Sequence, residues 1–230
     1  RTARMPFARE VGATSATARP MDPEQLERTL RARAAEIRRL LNSLEGRLAL
    51  RWSLKVARGR AVAEVLAVAG PDDLLVVQRT GGPSLRGGPG ATIRDLLREP
   101  RVSVMVLPET LAGTTHPVVA LFDDPEGGPR ALEMAAHLAR GNGQELTVVI
   151  PPAPAGEGGG LAQAAREWLD RHGVRAQVHQ VSGPAAPALA ELARRDRARA
   201  LVISRGSPVL ADAPGRHLLE SLGTPMVVVS

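Results

Sequence analysis

The sequence predicts an α/β protein made of two open parallel sheets in tandem, and three observations predict it. Several strand-length runs are apolar without alternation: Leu74 to Val77, Val118 to Phe122, Leu146 to Ile150 and Leu201 to Ile203. Strands of that kind are buried on both faces, as parallel strands are. Stretches with helical spacing of apolar residues lie between them, which is the alternation of βαβ units. The same series of elements also runs twice along the 230 residues.

The second half is the complete copy. Strand Val118–Phe122 leads to a helix over Pro129–Arg140, closed by Gly141. Strand Leu146–Ile150 leads through a Pro/Gly-rich loop to a helix over Leu161–His172, closed by Gly173. Val174, Ala176 and Val178 then alternate with Arg175, Gln177 and His179, the pattern of a half-buried strand. Ser182-Gly183, a helix with Leu189, Glu191 and Leu192, the strand Leu201–Ile203, Pro225 and the strand Met226–Val229 complete it.

The first half matches from about Asp22 onward. A long helix opens with Asp22 as N-cap, Pro23 in the first turn and Gln25 at the capping-box position. Leu26, Leu30, Ala34, Ile37, Leu41 and Leu44 mark its apolar face. Trp52, Leu54 and Val56 alternate as a strand running into Arg58-Gly59, and a short helix carries Val62, Glu64, Val65 and Leu66. After the turn Gly70-Pro71-Asp72-Asp73 come the strand Leu74–Val77, Gln78-Arg79, a glycine-rich loop, Pro100 and the strand Val102–Leu107. Residues 1–21 read as irregular. Residues 1–110 are therefore expected to form a module lacking its first strand and helix, and residues 116–230 a complete one.

At this point the chain resembles the universal stress protein family, twice over. Val118 to Asp123 looks like that family's opening strand, which ends in an aspartate. Ala131 to Ala139 resembles its Ala-rich first helix, and Ser182-Gly183 with Leu189 to Ala193 its glycine-then-helix element. The resemblance implies a Rossmann-like, adenine-nucleotide alpha-hydrolase-like sheet of five parallel strands. Such sheets bind ligands beyond the carboxyl ends of the strands, where strand order reverses. It also implies pairing of modules through their last strands, within the chain or in a homodimer.

ATP-binding members of the family carry G-x-x-G-x9-G-(S/T) after the fourth strand, where glycines let backbone N–H groups approach phosphates. In the first half Gln78 stands at the first glycine and Gly81 at the second, beside Gly82. Gly90 follows with one residue too few between, and Ala91 precedes Thr92 where Ser or Thr belongs. The loop reads either as an eroded phosphate cradle holding ATP or AMP or as a surface loop. In the second half Ser204-Arg205-Gly206-Ser207-Pro208 lacks the first glycine, Pro208 removes a donor, and Asp212-Ala213 falls where Gly-Ser is expected. Asp123 is the remaining candidate nucleotide contact there, with capping of the following helix as its alternative.

Other chemistry is mostly excluded. There is no cysteine, so no disulfide or thiol catalysis. The histidines form no HExxH or H-x-x-x-H pair, so no zinc site is expected. The net charge of +6 is concentrated in the first half, +7 over residues 1–115 and −1 over 116–230. Much of it lies on Arg28, Arg31, Arg33, Arg38 and Arg39, read as a solvated helix face. With Phe7, Trp52, Phe122 and Trp168 the only aromatics, base stacking has little to work with, and nucleic acid is not an expected partner. No apolar run spans a bilayer, so no membrane is expected and the cytoplasm is the expected location. The sequence thus points to a bacterial, cytoplasmic stress-response binding protein with a degenerate nucleotide site, protein partners not identified, and no enzymatic role beyond weak ATP hydrolysis. The alternatives are an ATP- or AMP-binding member and a regulatory domain of a larger transporter or sensor.

Overall fold

The computed structural model describes residues 9–11, 18–20, 22–48, 51–57, 59–79, 93, 95–99, 101–109, 116–141, 145–152, 158–211 and 223–230. They fall into two compact units, Arg1–Ala67 and Val68–Ser230.

In the first unit, β1 (Arg9–Val11) and β2 (Ala18–Pro20) pair antiparallel, with Arg9 opposite Pro20. This corrects the reading of residues 1–21 as irregular; three-residue strands are too short to leave a period in the sequence. Helix α1 (Pro23–Leu48) is capped as its sequence requires, the Glu24 N–H donating to Asp22 Oδ1 at 2.9 Å. The expected strand at Trp52–Val56 is not one: residues 51–57 join no ladder. Trp52 and Leu54 are half-buried and the residues between and beside them exposed, but Val56 is exposed too, so the alternation holds only over Trp52 and Leu54. A strand needs a neighbour to satisfy its backbone. Its counterpart in the second half pairs with a strand for which the first half has no equivalent among the described residues. Helix α2 (Ala61–Leu66) buries no residue.

The second unit holds one seven-stranded sheet. Its strands are β3 (Leu74–Gln78), β4 (Ser103–Leu107), β5 (Val118–Leu121), β6 (Leu146–Ile150), β7 (Ala176–Gln180), β8 (Ala200–Ser204) and β9 (Met226–Val229). The order across the sheet is β3-β4-β9-β8-β5-β6-β7. All neighbours are parallel except β4 and β9, which run antiparallel with Met105 opposite Val227. The stretch β9-β8-β5-β6-β7 is the five-stranded parallel sheet expected of the second half. The first half adds two strands to it and forms no five-stranded sheet of its own among the described residues. β7 begins two residues later than the alternation suggested, with Ala176 opposite Leu146.

Burial follows position. Every residue of β5, β6, β8 and β9 is buried, which is why these strands read as unbroken apolar runs. β3 and β7, at the two ends of the order, are only partly buried. Helices α3 (Gly128–Arg140), α4 (Gly158–Arg171), α5 (Ala185–Arg195) and the short α6 (Pro208–Ala211) link the strands. α3 lays Ala131, Leu132, Ala135, Ala136 and Ala139 into the same apolar cluster as Val118, Ala120, Val148 and Val202. Small side chains at these helical spacings let the helix sit close to the sheet, and each buried Val or Leu contributes roughly 1.5–3 kcal/mol. α4 ends in a Schellman motif: Val174 N–H reaches Leu169 O at 3.0 Å, Gly173 N–H reaches Asp170 O at 3.2 Å, and Gly173 takes φ +60°.

Candidate functional site

Strand order reverses between β5 and β8. From β5 the chain winds outward through β6 and β7, and it returns to the other side of β5 as β8. Two loops leave the carboxyl ends of these adjacent parallel strands and meet. One carries Asp123 to Gly128, the other Arg205 to Pro208.

The meeting depends on glycine. A Cβ on Gly127 would lie 1.9 Å from Ser204 Oγ and 2.7 Å from Asp124 Oδ2, and one on Gly128 would lie 2.6 Å from the Phe122 ring. Asp124 organises the first loop, accepting from Glu126 N–H at 3.0 Å and Gly127 N–H at 2.9 Å. The turn into α3 is therefore closed by Asp124 and not by Asp123, and the helix itself has no side-chain cap. Asp123 instead accepts a short hydrogen bond through Oδ2 from the hydroxyl of Ser207. Ser207 Oγ also accepts from Val209 N–H at 3.2 Å, so it caps α6, whose first residue is Pro208. Among the described residues, Asp123 Oδ1 is buried without a hydrogen-bond partner. Burial pushes the Asp123 carboxyl above its ordinary value of 3.8; the Ser207 hydroxyl opposes this and the Asp124 charge adds to it.

Arg205 turns the other way. Its Nη1 donates a short bond to Leu97 O, and its Nη2 donates to Val102 O at 2.7 Å and to Ser230 Oγ at 3.4 Å. Burial pushes its guanidinium below the usual range, partly offset by Glu99. The arginine after β8 is thus spent on the backbone leading into β4, not on the cleft beside Asp123.

Of the residues singled out for nucleotide contact, Asp123 sits at the switch point. Gly81, Gly82, Gly90 and Thr92 lie outside the described residues, as does Asp212-Ala213. Sequence reasoning missed Asp124 as the loop organiser and Ser207 as the partner of Asp123. The pair Gly127-Gly128, beginning three residues beyond Asp124, was the available signal for a loop with no room for side chains. At the switch point the Ser207 hydroxyl and the Gly127 and Gly206 N–H groups are already engaged within the two loops, and the buried Asp123 Oδ1 is the polar atom left unpaired among the described residues.

An open, largely parallel sheet with a carboxylate at its reversal point places the chain among the doubly wound α/β proteins. Within that class the fold is that of the universal stress proteins. A universal stress protein from Archaeoglobus fulgidus DSM 4304 superposes with a TM-score of 0.71 at 14% identity, over 91% of this chain and 80% of that one. A candidate universal stress protein from Pseudomonas aeruginosa UCBPP-PA14 gives 0.62 at 17% identity, over 85% and 77%. The Archaeoglobus fulgidus universal stress protein in complex with dAMP covers 51% of this chain at 19% identity and 0.42, too low to transfer a ligand. No protein-family model and no curated protein matches the sequence.

Proposed function

We propose that the chain is a tandem universal stress protein-like binding or regulatory protein, without turnover of its own, whose second-half nucleotide site has degenerated. The observation that carries this reading is the Asp123–Ser207 bond at the switch point. It ties the loop after β8 to the carboxylate at the end of β5. A phosphate cradle needs free backbone donors and a positive field there. This cleft has a carboxylate, a proline at the start of α6, and an arginine directed to Leu97 O and Val102 O. The antiparallel β4–β9 pair supports the further reading that the two modules pair within the chain.

One sequence feature favours a second reading, binding of ATP or AMP by the first half: the stretch 81–90 holds five glycines in ten residues, unusual in a plain surface loop. Gly81, Gly82, Gly90 and Thr92 would then hold the phosphates, and Asp123 would take no part. Isothermal titration with ATP–Mg and with AMP separates the two. The first reading expects no heat at about millimolar nucleotide, roughly −4 kcal/mol or weaker. Micromolar binding abolished by Gly90→Asp but not by Asp123→Asn would replace it with the second.

A further inference from the structure

We draw no further inference here: the strongest candidate, the outer edge of β3 at the end of the seven-stranded sheet, where Val76 is 55% exposed, is a strand edge for which nothing among the described residues shows what covers it.

Discussion

At the scale of single residues the cleft is decided by which aspartate does which work. Asp124 is held by two backbone N–H donors and serves the loop; Asp123, half-buried, bonds Ser207 through one oxygen and leaves the other buried and unpaired. The two are adjacent in sequence, and only the direction of each side chain at the end of β5 separates their roles. Because burial raises the Asp123 pKa, the folded state holds that proton more tightly than the unfolded chain does. Stability from this group is therefore fully present below the ordinary carboxyl value of 3.8 and is lost as pH rises through the raised folded value. Asp123→Asn removes the titration while keeping an oxygen for Ser207. Its melting temperature should exceed that of the parent at neutral pH, and the two curves should converge as pH falls towards about 4. A parent whose melting temperature gains on that of the variant as pH rises would show the opposite linkage.

Elements are where the sequence was most legible, and where it misled for a physical reason. Runs such as Leu146–Ile150 announced buried parallel strands because burial on both faces leaves no alternation to read. Trp52–Val56 alternated just as well and is not a strand, because pairing is a property of the neighbour and not of the segment. The site was less legible still: Ser207 looked like an eroded motif position until the loop brought it to Asp123, 84 residues away in the chain. Helix ends show the same limit. α5 closes with Ala198 N–H on Ala193 O at 2.8 Å and Arg197 N–H on Arg194 O at 3.2 Å, the same motif that ends α4. Where α4 has Gly173, α5 has Arg197 at φ 50°. A side chain in the left-handed region costs about 1–2 kcal/mol, so Arg197→Gly should stabilise the protein by roughly 0.5–1 kcal/mol after the added freedom of the unfolded chain is offset. Thermal or urea unfolding checks it; a variant less stable than the parent would mean that the arginine makes a compensating contact.

For the sheet as a whole, the decisive feature is the single antiparallel join. β3-β4 and β9-β8 are two parallel pairs placed back to back, each with its outer strand bonded past the end of the inner one: Arg79 N–H to Leu107 O at 2.8 Å, and Arg205 N–H to Val229 O at 2.9 Å. Beyond β8 the sheet continues through β5, β6 and β7, whereas β3 ends it. The four-residue β9 is therefore the bridge by which β3 and β4 reach the buried centre, and a ladder of three residue pairs on β4 is a modest hold. Arg205 adds a second hold that bypasses β9, from the end of β8 directly to Leu97 O and Val102 O just before β4. Removing it leaves those carbonyls without their charged donor, a loss of roughly 1–3 kcal/mol. The loss should be local: in Arg205→Ala, amide hydrogen exchange should quicken in β3 and β4 while β5 and β6, paired on both sides, keep the protection of the parent. Uniform acceleration across all seven strands would mean that the sheet opens as one body, and unchanged exchange in β4 would mean that the β4–β9 ladder alone holds the join.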